Sequence, residues 1–323
     1  MASFLPLRQT IEELQVTVMD FSALFIKMVI FAVLLITGYL AARKGFLTPD
    51  FSKSASWLLV NVFLVASIIN SVLGTRPELP QKELWSTLLV IFLMMALLYV
   101  ISALCMRFDP EPDVAPQTLI LMTAVNNLFV GMPIVQTLAG SEAVFYMGLS
   151  CIPYNLFLYS YGVWQLKKGR GKKGIRVKDI ISASLIAALL SLVIFVLDRP
   201  MPRLVTDLFG TVASATVPVS MLVIGATLGR VRLGDAFSKK KFYVLSLIRL
   251  VVTPVLVFFL FRPFVTNPVL LLAIVVTAAC PSGAINTPLS IQYGYDPTYS
   301  SEVIMVTTAL SMITLPLLLF VLF

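Results

Sequence analysis

NNLFVGMPIV, residues 126–135, places two amides, a glycine and a proline in the middle of a long apolar run where a buried helix would carry leucines. Proline removes one backbone hydrogen bond and clashes with the preceding turn. In hydrocarbon, the freed carbonyls need partners in protein or trapped water. A second stretch, CPSGAINTP, residues 280–288, repeats the pattern with Pro281, Ser282, Gly283, Asn286, Thr287 and Pro288. A lone proline would merely kink a membrane helix. Two matched clusters, each with an asparagine beside the break, predict a pair of interrupted helices.

The composition says where such helices sit. Of the 323 residues, 59% are hydrophobic and only 12% are charged. A soluble domain carries about a quarter charged residues, so this apolar excess has no soluble core to fill and points to a membrane protein. There is no His, and the three cysteines, Cys105, Cys151 and Cys280, fall far apart inside apolar segments. That pattern fits small buried core residues and excludes a disulfide framework or a zinc site. The first residues lack the basic start, apolar run and small-residue site of a cleavable signal. Residues 1–19, with a capping-box pattern from Thr10 to Glu13, are expected to lie at the interface or to be disordered.

A helix needs roughly 20 residues to cross the hydrocarbon core. Ten segments qualify: 20–42, 54–74, 84–106, 115–138, 143–165, 180–198, 205–229, 242–264, 267–292 and 302–323. Lys and Arg are unevenly shared among their connections. The loops after segments 1, 3, 5 and 7 carry 16, seven of them in KKGRGKKGIRVK, whereas the other side carries 6. The positive-inside rule then puts loop 166–179 in the cytoplasm and both termini outside. The net charge of +8 is accounted for by topology, and a nucleic-acid partner is excluded because no soluble basic face exists.

The basic loop divides the chain into two sets of five, 20–165 and 180–323. Five is odd, so the second set runs through the membrane inverted. Weak internal similarity accompanies this: Pro133 is followed by Gln136 and Gly140, and Pro288 by Gln292 and Gly294. The fold class read from the chain is therefore all-α and integral to the membrane. Its ten transmembrane helices form two inverted five-helix repeats, with helices 4 and 9 broken and crossing.

Paired interrupted segments in corresponding positions are the best sequence pointer to a transporter's central site. A helix that restarts at the midplane presents unpaired N–H groups and a positive dipole end, which suit an anion, most simply a carboxylate. The carbonyl ends of the first halves suit a cation. The candidate substrate-binding residues are Asn126, Asn127, Gly131, Pro133, Ser282, Asn286 and Thr287, with Asn70 and Asn155 as cavity-lining amides from helices 2 and 5. Pro133, Pro281 and Pro288 are the candidate helix-breaking residues. No Asp or Glu lies in the central turns of any segment, which leaves a conventional proton relay without a carrier. No metal or organic cofactor is implied, and a coupling ion, sodium or proton, is compatible with the carbonyl and amide groups. Lys27 and Arg249 each lie about two turns into a segment and are expected to snorkel to an interface, with a vestibule lining as the alternative. Tyr159 and Tyr161 are expected in an interfacial aromatic belt.

Four stretches carry a family resemblance. NNLFVGMPIV resembles the N-x4-G-x-P element of the auxin efflux carrier family, which includes plant PIN-type carriers and bacterial malate and malonate permease-like proteins. YNLFLYSYGVW, VASATVPVSMLVIGATLG and CPSGAINTPLSIQYGYDPTYSSEVIMVTTALSMITLP resemble its helices 5, 7 and 9–10. The resemblance implies a bile-acid sodium symporter-like fold. Helices 1, 2, 6 and 7 would form a scaffold and helices 3–5 and 8–10 a moving core. The family's homodimer would form through the scaffold, and its substrate site lies at the crossover of helices 4 and 9. By match, Asn126, Pro133, Asn155, Pro281, Asn286 and Pro288 would be site positions. The chain departs from the family at FLVASIIN, which lacks a mid-helix proline, and at Asn127, where Thr or Ser is common. It also lacks the long central loop of the plant carriers, which weighs against auxin itself. The expected function is permeation of a small organic anion by elevator-type alternating access; the alternative is a receptor that binds a carboxylate without flux. A channel would need a continuous polar stripe, an enzyme a nucleophile–base pair, and an ATP-driven pump a Walker motif, and none is present.

Overall fold

The computed structural model describes residues 21–73, 83–171, 183–197, 201–229 and 237–323. Segment 1–19 and positions 172–179 of the basic loop lie outside them. Among the described residues all regular structure is helical.

We number the helices α1 (Phe21–Arg43), α2 (Pro49–Leu73), α3 (Leu84–Arg107), α4 (Ala115–Thr123), α5 (Asn127–Lys168), α6 (Ala183–Leu197), α7 (Arg203–Thr227), α8 (Lys240–Phe261), α9 (Pro268–Ala279), α10 (Asn286–Tyr293) and α11 (Pro297–Leu322). Six of them, α2, α3, α5, α7, α8 and α11, are long and apolar enough to cross a membrane. Their outer faces carry large exposed apolar side chains, such as Leu89, Leu93 and Val100 on α3 and Val252, Leu256 and Phe259 on α8. Water would penalise such continuous apolar surfaces, and lipid tails solvate them.

Several boundaries follow from local chemistry. Three helices start with a side-chain cap followed by proline at the first position. The cap of α2 is Thr48, whose hydroxyl accepts from the Phe51 N–H at 3.2 Å. Asn267 caps α9, accepting from Val269 and Leu270 at 2.8 and 3.0 Å. Asp296 caps α11 through the Thr298 N–H at 2.8 Å. The proline lacks an N–H that would be unpaired there in any case.

The segment with the unusual composition is not one helix. α4 ends at Thr123, residues 124–126 are extended or irregular, and α5 restarts with a π turn, Asn127–Gly131. α5 is interrupted again at Gly140, whose φ of 66° only glycine adopts readily. The second half mirrors this: α9 ends at Ala279, α10 restarts at Asn286, and Gly294 follows with φ 82°. α2 lacks the family's proline yet contains its own irregularity, a π turn at Leu59–Phe63. The Thr216 hydroxyl from α7 donates to the Phe63 carbonyl there at 3.1 Å.

The closest packing joins α1 to α7. A Cβ on Gly225 would run into the Leu35 carbonyl oxygen, and one on Gly38 into that of Leu222. Small residues at such crossings let backbones approach within van der Waals contact, which is what holds helices together where lipid supplies no hydrophobic drive. α2 packs on α6 and α7; α3, α4, α5, α8, α9, α10 and α11 pack among themselves. The two groups meet where α2 and α6 lie on α5 and where α7 lies on the Asn127–Gly131 turn. Asp109 links the start of α8 to α4, accepting from Lys241 at 2.8 Å and from Thr118 at 2.5 Å. Lys239 pairs with Glu302 of α11 at 2.6 Å.

Gly225→Ala is expected to cost about 1–3 kcal/mol, because the clash is with backbone and overpacking cannot relax by a rotamer change. A matching fall in melting temperature of the purified chain checks this. An unchanged value would mean that the α1–α7 contact is looser than the structure has it.

Candidate functional site

The two breaks meet. The Asn126 N–H donates to the Pro281 carbonyl at 2.8 Å, and the Gly283 N–H donates to the Ala124 carbonyl at 2.6 Å. Val125 and Ser282 are thereby paired as a short antiparallel bridge between the two unwound segments. Each backbone that leaves its helix takes its missing hydrogen bonds from the other, which is what a low-dielectric surrounding demands.

Side chains reinforce the bridge. The Ser282 hydroxyl donates to the Leu121 carbonyl at 2.7 Å, reaching back into the last turn of α4. The Asn286 amide donates to the carbonyls of Gly283 at 2.9 Å and Ala124 at 3.3 Å. Its Oδ1 atom is buried with no partner among the described residues. Gly131 is required by the fit, since a Cβ there would stand 2.7 Å from Cys280 Sγ. Gly283 likewise lies against the Ala124 and Val125 carbonyls.

The three candidate breaking prolines divide. Pro281 lies in the unwound segment itself. Pro133 sits in the first turn after the π turn, and Pro288 lies in the first turn of α10. In the first turn of α10 a missing N–H is no loss, so Pro288 starts a half-helix instead of ending one, whereas Pro133 lies inside α5, after its opening π turn. The chain unwinds at Ala124–Asn126, where NNLFVGMPIV begins and well ahead of Pro133, whose preceding residue Met132 is helical.

Two cavities flank the bridge and share Ser56, Asn126, Phe129 and Ala284. The larger, about 380 Å³, is also lined by Asn127, Tyr154, Asn155 and Tyr159. The smaller, about 250 Å³, is lined by Thr227 of α7, Thr287 of α10, and Ser301 and Thr308 of α11. The N–H groups of Asn127, Leu128 and Phe129, in the first turn of α5, and of Ala284 and Ile285, in the turn that leads into α10, have no hydrogen-bond partner among the described residues. All five residues line the larger cavity. The site therefore offers backbone donors where two half-helices begin.

The candidate residues do not share one role. Asn126 lines both cavities, and its side chain makes no hydrogen bond to a described residue. Asn127 Nδ2 donates to Ser150 Oγ at 3.3 Å, and Asn155 Nδ2 to the Cys151 carbonyl at 2.7 Å; both line the larger cavity. Thr287 shares a hydrogen bond with Ser301 at 3.2 Å beside the smaller one. Ser282 and Asn286 tie backbone. Asn70 lies near Gly210 of α7 and lines neither cavity. Tyr159, expected in an interfacial belt, instead lines the larger cavity, while Tyr161 is partly exposed beside Trp164.

Some residues at the site had no signal in the sequence. Ser56 and Phe129 are ordinary in composition and gain their place only from the packing of α2 against the bridge. Arg249 is a correction: its side chain is only 1% exposed, so it does not snorkel. The Lys27 side chain lies outside what the structure describes. The three cysteines are free, with Cys151 and Cys280 fully buried.

Ser282→Ala would leave the Leu121 carbonyl buried and unpaired, an expected loss of about 1–3 kcal/mol. Asn126→Ala removes no described hydrogen bond and is expected to stay within about 0.5 kcal/mol of the parent. Thermal unfolding of both purified variants reads the difference, and equal losses would make Asn126 a structural residue.

A family model described as membrane transport protein matches residues 23–178 and 171–319. No curated protein matches the chain. With nearly the whole sequence covered, the chain belongs to the membrane transport protein family, that of the auxin efflux carriers, and is a multi-pass membrane transporter.

Proposed function

We propose that the chain is a secondary carrier of a small organic anion, most simply a carboxylate, and that the anion binds at the crossing of the broken helices. The observation that carries this reading is the pair of half-helix starts beside the Val125–Ser282 bridge. The residues that carry their unpaired N–H groups line one cavity, together with Asn126, whose side chain is uncommitted. Helix N-termini with free N–H groups and a positive dipole end bind anions without a fixed charge. The substrate-binding set is Asn126, Asn127, Asn155 and Thr287, with Ser282 and Asn286 holding the backbone that presents them.

The transport cycle in this reading is an elevator. Segments 20–165 and 180–323 are inverted five-helix repeats. α1, α2, α6 and α7 form the scaffold, and the remaining helices form the core that carries the crossover past it. Support comes from the matched breaks and positive-φ glycines of the two halves, and from cavities whose walls are shared between α2 or α7 and the core. A homodimer through the scaffold, a place in the plasma or inner membrane, termini outside and loop 166–179 inside complete the proposal. The last two rest on the 16 against 6 distribution of Lys and Arg. The nearest branch of the family in this reading is that of the malate and malonate permease-like proteins. The unpaired Asn286 Oδ1 and the carbonyls around it supply oxygen ligands for a coupling sodium ion, with a proton as the alternative.

Purified proteoliposomes on a supported membrane test this. Malate, malonate, simple monocarboxylates and indole-3-acetate are applied with and without sodium and a pH gradient. A current specific to one carboxylate is expected, and its dependence on sodium or pH assigns the coupling. Asn126→Ala is expected to lower that current about tenfold or more, the effect of losing a contact of about 1.4 kcal/mol. Full current in that variant would remove Asn126 from the binding set.

A further inference from the structure

Arg249 is among the largest fully buried side chains of the protein. It sits on a π turn of α8, Ile248–Val252, and the Thr253 hydroxyl mends that turn by donating to the Ile248 carbonyl at 2.7 Å. π turns inside α-helices re-aim a side chain and recur at functional sites. The guanidinium atoms Nε and Nη2 are buried and have no hydrogen-bond partner among the described residues. No described acidic residue pairs with it. Glu302 is taken by Lys239, and Asp109, which shares the neighbour Cys105 with Arg249, is engaged by Lys241 and Thr118.

An unpaired buried guanidinium is expensive, and a protein that keeps one inside a membrane span has a partner for it. Its surroundings indicate where that partner arrives. The π turn that carries Arg249 packs against α9, whose C-cap is Cys280, and both Cys280 and Tyr154 interact electrostatically with the guanidinium. Cys280 immediately precedes Pro281, whose carbonyl is part of the bridge. Tyr154 lines the larger crossover cavity. The charge therefore lies on the side of α8 that faces the end of α9, near a tyrosine of the cavity wall, and no described acid neutralises it.

We propose that Arg249 supplies the fixed positive charge that selects an anion at the crossover, the bound anion acting as its counter-charge. This rests on the carboxylate reading of the site and adds to it. The N–H groups orient a carboxylate, and Arg249, a positioning residue outside the cavity lining, makes the site prefer a charged ligand over a neutral one of the same shape.

The test uses the full chain in lipid nanodiscs. The probes are malate, malonate, acetate and indole-3-acetate, the neutral amide of each acid that binds, and thiocyanate as a small inorganic anion. Wild type is expected to bind an acid at least about tenfold more tightly than its amide. Arg249→Met, similar in length but uncharged, is expected to lose that preference. Its ligand-free melting temperature should match or exceed that of wild type, because an unpaired buried charge has been removed. Arg249→Lys is expected to keep the preference.

A wild-type chain that binds acid and amide equally overturns the inference without need of a variant. So does an Arg249→Met chain that still prefers the acid; if that chain also melts earlier, Arg249 is a packing residue. Should wild type bind none of the acids yet bind thiocyanate in an Arg249-dependent way, the carboxylate reading falls and the charge assignment stands. If no anion binds at all, both fall.

Discussion

A backbone that leaves its helix inside hydrocarbon has to find other partners, and here it finds them in a second backbone doing the same. The exchange of hydrogen bonds between Asn126 and Pro281, and between Gly283 and Ala124, is the constraint from which the rest of the site follows. Because the two segments satisfy each other, neither needs lipid-facing water. Because they pair antiparallel, both helices restart next to the same cavity. Ser282 and Asn286 are spent on this pairing, whereas Asn126 is left uncommitted. The division between residues that build the crossover and residues that face the cavity is thus set by which carbonyls were left open.

Much of this arrangement is legible in the chain before any coordinates. NNLFVGMPIV and CPSGAINTP mark the two breaks because apolar context makes amides and prolines costly there. The breaks fall a few residues from two of the three prolines, since Pro133 lies inside α5 after its opening π turn, Pro288 in the first turn of α10, and Pro281 alone in an unwound segment. The cap-and-proline pairs Thr48-Pro49, Asn267-Pro268 and Asp296-Pro297 are equally local signals, and each starts a helix.

What the chain conceals is tertiary. Nothing in the sequence of α2 distinguishes Ser56, which faces both cavities, from Asn70, which faces α7 and reaches neither. The difference is which side of the helix lies against the bridge, and the π turn at Leu59–Phe63 between them shifts that register. Arg249 is the sharper example. Whether a long cationic side chain reaches an interface depends on the helices packed around it. Arg249 lies on the packed side of α8, whose π turn rests against α9 and α11, while the opposite side of α8 is exposed.

The bridge also has a consequence for biogenesis. Its partners come from opposite ends of the chain, with Ser282 and the Leu121 carbonyl it caps separated by 161 residues. The first unwound segment enters the bilayer long before its counterpart has been made, as domains and segments emerge in order during synthesis. Until α9 and α10 arrive, the carbonyls of Leu121 and Ala124 have no protein donor, and water held among the early helices must serve them. Closure of the crossover is therefore a late step of assembly, and a chain truncated ahead of Pro281 would insert its first half yet leave that half wet at its centre.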